Sequence, residues 1–233
     1  MFQSYKVAKL RKKCEPGRHP DFLLNYLSTY EHKPRLQTPI AELRFVVFDT
    51  ETTGLVIGKD RILSIGSAVV EKEAILARNA LNLLIDNEHA SQEAISTHGI
   101  TPGESSDGLS EAEAVGYFLQ QLGPSVIVAH HAGFDTGMIE HSIKKLFLPR
   151  FFLFNSLLDT VYLTKKLARR DESMKAFRNS RISLDKLSEH FGIPTHDRHT
   201  AWGDAFITAQ LLLILLKRLY RSGSRTLGDL LKE

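Results

Sequence analysis

The 233 residues, 42% apolar and 24% charged with a net charge of +3, suit one domain with an extension or two small domains around a sizeable core. No apolar run nears the roughly 18 residues of a membrane-spanning helix, and the basic N-terminus lacks the apolar stretch of a secretory signal, so neither is expected. Cys14, the one cysteine, excludes an internal disulfide and fits a reducing cytoplasm, while the charge permits a polyanionic partner without requiring one.

Residues 1–43 read as a basic, partly helical extension. Its segment KVAKLRKKCEPGR (6–18) holds six lysines or arginines against one acid, which suits a solvated helix or arm as well as contact with nucleic acid. Pro16, Gly17 and Pro20 interrupt it, and Pro34 and Pro39 close it. Between them DFLLNYLSTY (21–30) predicts a helix, with Asp21 as N-cap, that packs onto the main domain.

The main domain spans 44–218, and 219–233 form a short tail. LRFVVFD (43–49), RILSIGSAVV (61–70) and AILARNALNLLI (74–85) predict three strands, joined by connections short enough for an antiparallel meander. Ser110 and Glu113 form a capping box that opens a helix ending at Gly123-Pro124. VIVA (126–129) predicts a short buried strand, FDTGMIEHSIKKLF (134–147) a helix, and FFLFNSLLD (151–159) a strand. Helices follow at 160–170, 183–192 and 201–220, and the charged stretch 169–181 suits a surface loop or a helix continuation. The sum is an α/β chain with a mixed five-stranded sheet flanked by helices.

Three segments carry chemistry. In DTET (49–52), Asp49 and Glu51 sit two apart at the end of an apolar strand, so both carboxylates project to one face. HHAGFD (130–135) turns a strand into a helix and places Asp135 near its start. HTAWGD (199–204) puts His199 in the loop or first turn before the last long helix and Asp204 inside it, since five residues of ideal helix would set them about 140° apart. Acids crowded at apolar positions repel and resist desolvation, and divalent cations relieve both costs. Mg²⁺ suits an all-oxygen donor set, whereas zinc calls for more His or Cys ligands. An imidazole suits proton uptake from water near neutrality.

These segments, in this order, resemble the three motifs of the DEDDh (DnaQ-like) superfamily of 3′→5′ exonucleases, and are most similar to the proofreading epsilon subunits of bacterial DNA polymerase III and their stand-alone relatives. The D-x-E-T-T-G motif is met by Asp49, Glu51, Thr52, Thr53 and Gly54, the H-N-x-x-F-D motif by His130, Phe134 and Asp135, and the H-x₄-D motif by His199 and Asp204. STHGIT (96–101) matches the family's H-G-I element, and His131 stands where the second motif usually has asparagine.

The resemblance implies a ribonuclease-H-like fold and hydrolysis of the terminal phosphodiester from the 3′ end with two divalent cations, Mg²⁺ or Mn²⁺, releasing nucleoside 5′-monophosphates. Asp49, Glu51, Asp135 and Asp204 are then metal ligands and His199 the general base. Thr52, Thr53, Leu55, His98 and Phe134 border the terminal nucleotide, Phe134 being equally suited to core packing. The expected partner is a nucleic-acid 3′ end, DNA in preference to RNA, in proofreading or repair and with a DNA polymerase subunit as a further partner. The alternatives are an exoribonuclease and a polymerase-associated subunit that mainly binds 3′ ends, with the extension as its partner-binding element.

Overall fold

The computed structural model describes residues 2–86, 99–100 and 107–232. A mixed sheet runs through it in the order β3-β2-β1-β4-β5. The strands β1 (Arg44–Thr52), β2 (Ile62–Glu71) and β3 (Ala74–Leu84) form an antiparallel meander. β4 (Val126–Ala129) and β5 (Leu157–Asp159) extend the sheet in parallel beyond β1. This is the mixed five-stranded sheet expected from the spacing of the apolar runs.

Side chains alternate across β1, and both of its faces are buried. Phe45 and Val47 share one apolar cluster with α5 (Thr160–Ala168), α6 (Leu184–Phe191), α7 (Ala201–Arg221) and α8 (Leu227–Leu231). Val46 and Phe48 share the other with α1 (Phe2–Lys13), α2 (Asp21–Ser28), α3 (Glu111–Leu122) and α4 (Gly133–Leu146). β1 is therefore the middle layer, and the residues after Phe48 emerge between two helical layers.

Residues before β1 are part of this core. Val7 and Leu10 of α1, Cys14, and Leu23, Tyr26 and Leu27 of α2 are buried with Phe118, Phe151 and Phe154. The basic segment is thus a helix with one covered face. The end of the extension is tied to the tail, for Ile40 N donates to the Arg225 carbonyl at 2.9 Å and Leu227 N to that of Thr38 at 3.0 Å. Leu227 and Leu230 of α8 are buried in turn. Among the described residues no helix is long and apolar enough to cross a membrane.

Three local expectations are corrected. The strand expected over 151–159 is confined to Leu157–Asp159. Side chains rather than a ladder hold the residues before it. Tyr26 stacks on Phe154 with ring centroids 4.5 Å apart and donates its hydroxyl to Asn155 Oδ1 at 2.5 Å, while Asn155 Nδ2 donates to the Gly123 and Ser125 carbonyls. The N-cap of α2 is Pro20, with Asp21 the first helical residue and no side-chain cap bond. β1 continues to Thr52, so the two acids lie within the strand rather than after it. The capping box of Ser110 and Glu113 forms as expected.

Candidate active site

β4 pairs with β1 only as far as Val47, whereas β2 accompanies β1 to its end. The last residues of β1 therefore stand free on one edge. Asp49 and Glu51 continue the face of Phe45 and Val47, toward α7, and Thr50 continues the face of Val46 and Phe48, toward α4. Asp135, in the first turn of α4, meets Thr50. The Thr50 backbone N–H donates to Asp135 Oδ1 at 3.0 Å, and the Thr50 hydroxyl donates to the same oxygen at 2.6 Å. Asp204, in the first turn of α7, meets the two acids of the other face. Ligand atoms of Asp49, Glu51 and Asp204 all lie within 4.8 Å of one another.

Close backbone contact sets the start of α7. A side chain at Gly66 of β2 would run into the Ala201 carbonyl group, and one at Gly203 into the Asp197 carbonyl oxygen. Both glycines are thus required for the helix to rest this near the acids. Thr200 caps α7 by accepting from Gly203 N at 3.0 Å. His199 precedes the cap in left-handed conformation, φ 62°, with an exposed ring.

The start of α4 has a different support. Asp159 accepts from His131 N at 3.3 Å, from Ala132 N at 3.1 Å and from Val161 N, so it holds this turn and caps α5 together. His131 Nε2 donates to the Ile182 carbonyl at 3.1 Å, which is where its local bonding goes in place of the usual asparagine. His130 Nδ1 lies 2.8 Å from the Thr160 hydroxyl, and its Nε2 is buried without a hydrogen-bond partner among the described residues. Burial, then the neighbouring His131, pushes its pKa down to about 4, so it stays neutral.

Electrostatics at the acids are unfavourable without a cation. Burial, and then the charges of Asp135, Asp204 and Glu51, holds the Asp49 carboxyl well above its ordinary range. Glu51 is raised to about 7 by burial, Asp204 and Asp135. Asp135 is also raised to about 7 by burial, against the opposing hydrogen bonds from Thr50. Arg198 draws Asp49 and Glu51 the other way and pairs directly with Asp204. The second oxygen of Asp204, Oδ1, is buried and has no partner among the described residues. An all-oxygen set with one carboxylate oxygen unsatisfied fits a hard divalent cation.

The loop after β1 folds back on itself. Thr52 Oγ1 donates to the Gly54 carbonyl at 2.7 Å and Thr53 Oγ1 to Asp60 at 3.1 Å, so both hydroxyls shape the loop. Ile57 rests on α4 over Gly137, and Leu55 stands 83% exposed at the tip. Phe134 is half-buried against the core cluster of its layer. His98 lies outside the described residues. A cleft of about 660 Å³ between α7 and the β2–β3 turn, lined by Phe45, Val70, Leu213 and Tyr220, is at the opposite end of β1 from the acids.

A family model described as an exonuclease matches residues 46–212, the stretch that carries every one of these acids. The chain belongs to the exonuclease family. The DNA polymerase III subunit epsilon-like protein of Rhodobacter capsulatus is 36% identical over 202 residues, covering 84% of this chain and 27% of that protein. DNA polymerase III PolC-type of Bacillus subtilis is 32% identical over 180 residues, covering 76% of this chain and 12% of that protein. The chain thus spans about a quarter or less of these curated relatives.

Solved structures share the fold. E. coli exonuclease I in complex with a dT13 oligonucleotide superposes with a TM-score of 0.66 at 16% identity, over 77% of this chain and 42% of that one. Exonuclease X in complex with 5′-overhanging duplex DNA gives 0.58 at 23% identity, over 81% and 97%. The fold is the ribonuclease-H-like one of the DnaQ-like superfamily.

Sequence reasoning missed Thr50, Asp159 and Arg198 as members of this site. The alternation of β1 carried a signal for Thr50, since the residue between two same-face acids must serve the opposite layer. The others depend on tertiary contacts with no periodic trace.

Proposed function

We propose that this exonuclease-family chain removes nucleotides from the 3′ end of DNA, single-stranded or frayed, by metal-dependent hydrolysis. The observation that carries the reading is the convergence of Asp49, Glu51 and Asp204 within 4.8 Å, with Asp135 beside them and one buried oxygen of Asp204 unsatisfied. Asp49, Glu51, Asp135 and Asp204 would hold two divalent ions, Mg²⁺ or Mn²⁺. Such ions supply positive charge to the attacking and leaving oxygens of a phosphodiester. His199, exposed and adjacent to the α7 start, takes the proton of the attacking water. Exposed Leu55 meets the terminal nucleotide, and the Thr52–Gly54 turn brings backbone toward its 3′-hydroxyl. His98 and Phe134 are assigned as further nucleotide contacts, Phe134 through the exposed part of its ring.

DNA is favoured because the relatives are named as DNA polymerase III proteins and structural neighbours were solved with DNA. The same names support a DNA polymerase subunit as a further partner. The test is release of mononucleotides from end-labelled DNA and RNA oligomers of matched sequence, with Mg²⁺, Mn²⁺ and a chelator. DNA digestion from the 3′ end, lost with chelator and in Asp49→Ala, is expected. Undiminished release by Asp49→Ala would sink the reading, and faster digestion of RNA would move the substrate.

A further inference from the structure

Arg198 lies between the site and its surroundings. Its Nε donates to Asp185 Oδ1 of α6 at 2.7 Å, and its Nη1 pairs with Asp204 Oδ2 of α7. The two pairs are not equivalent. The Arg198 and Asp204 side chains are 15% and 13% exposed, whereas that of Asp185 is 63% exposed. A guanidinium is a rigid fork, able to hold two carboxylates in a fixed relation. Here one tine reaches the acid cluster and the other a solvated acid outside it.

We propose that Arg198 is an internal counter-cation of the acid cluster, holding Asp204 in place when no metal is bound and competing with the metal for its charge. The inference rests on reading the cluster as a divalent-metal site.

Four carboxylates at the meeting of two helical layers repel one another, and a buried cation offsets that repulsion. The same positive charge opposes a divalent ion entering beside it. Asp185 weakens the competition by sharing the guanidinium, and gives it a place to remain when metal draws on Asp204. Arg198 is in this sense a positioning residue: it touches a metal ligand rather than the substrate, and it also anchors the loop that carries His199. A neutral clamp that merely oriented Asp204 would act with the opposite sign, because its loss would disorder a ligand and weaken metal binding.

Calorimetric titration of Mn²⁺ into the chelator-stripped full chain reads this sign directly, apart from activity. Arg198→Ala is expected to bind Mn²⁺ about tenfold more tightly and to melt at lower temperature in chelator than the wild type. Arg198→Lys keeps the charge and is expected to stay within about threefold of wild type. Asp185→Asn leaves the guanidinium to Asp204 alone, and about threefold weaker Mn²⁺ binding is expected.

Unchanged or weaker binding by Arg198→Ala overturns the proposal. If that variant does not fold, Asp185→Asn decides, and unchanged or tighter binding there overturns it. A wild-type chain that binds no Mn²⁺ overturns the metal reading of the cluster as well, whereas normal wild-type binding with the wrong sign in the variants overturns the role of Arg198 alone.

Discussion

Asp135 and Asp204 occupy equivalent places, each in the first turn of a helix that approaches the end of β1, yet their surroundings differ. Asp135 is held by neutral donors from Thr50, and the turn before it hangs on Asp159. Asp204 is held by a charged arginine and keeps one buried oxygen without a partner among the described residues. Among the described residues the Asp135 carboxylate thus has no buried oxygen without a partner, and the Asp204 carboxylate has one. Two acids brought to the end of one strand can thus be anchored in different ways, one by neutral donors and one by a fixed charge. The α7 side is also the one that presents His199.

The largest expected effect breaks the α7 side chemically without touching its packing. His199→Ala removes an exposed ring, so kcat for mononucleotide release should fall by about 10²- to 10⁴-fold. The melting temperature should remain as in the wild type. A change of less than threefold in kcat would remove His199 as the base.

A pH titration sharpens the contrast next. Glu51 and Asp135 are each raised to about 7, above unfolded carboxylate values near 4. The native state then binds more protons than the unfolded state between roughly pH 4 and 7. Stability of the metal-free chain should fall as pH rises through that window and level off above it. Mn²⁺ must displace those protons, so its apparent affinity should rise by about tenfold per pH unit for each group and flatten above pH 7. Melting and calorimetry with and without Mn²⁺ between pH 4.5 and 8.5 check both slopes. An affinity independent of pH below 7 would mean that the acids are already ionised.

Much of this arrangement was readable in the sequence because β1 and the helix starts have strong local signatures. Apolar runs of FVVF and VIVA type mark strands buried on both faces, and acids at the ends of such runs need partners. The antiparallel meander followed from short connections. The features that were not readable depended on contacts between distant segments. FFLFNSLLD has strand composition throughout, but its first part is held by Tyr26 from more than a hundred residues away. The basic run of α1 shows little apolar periodicity, yet Val7, Leu10 and Cys14 are covered by the main domain. Arg198 looked like any charged loop residue until α6 and α7 brought Asp185 and Asp204 to it.

Two smaller perturbations test the supports on each side. Gly66→Ala drives a methyl group into the Ala201 carbonyl group, so the α7 start must shift away from β2. Overpacking of this kind costs about 1–3 kcal/mol. The melting temperature should drop by roughly 3–10 °C, and Mn²⁺ binding should weaken because Asp204 moves with the helix. An unshifted melting curve would show that α7 does not rest on β2 as described.

Thr50→Val should have the smallest effect. It removes one of two donors to Asp135 Oδ1 while the backbone N–H remains. The isosteric change costs about 1 kcal/mol, or roughly 2–4 °C in melting temperature. Because the lost hydroxyl bond favours the ionised carboxylate, the variant should also hold the Asp135 proton to higher pH, moving the plateau of Mn²⁺ affinity upward. The α7 side should not respond, so a metal-free melting shift produced by Arg198→Ala ought to be the same in the Thr50→Val background. If the two substitutions fail to add, the acids on the two faces of β1 are one coupled network, and the division between an Asp135 anchored by Thr50 and an Asp204 anchored by Arg198 does not hold.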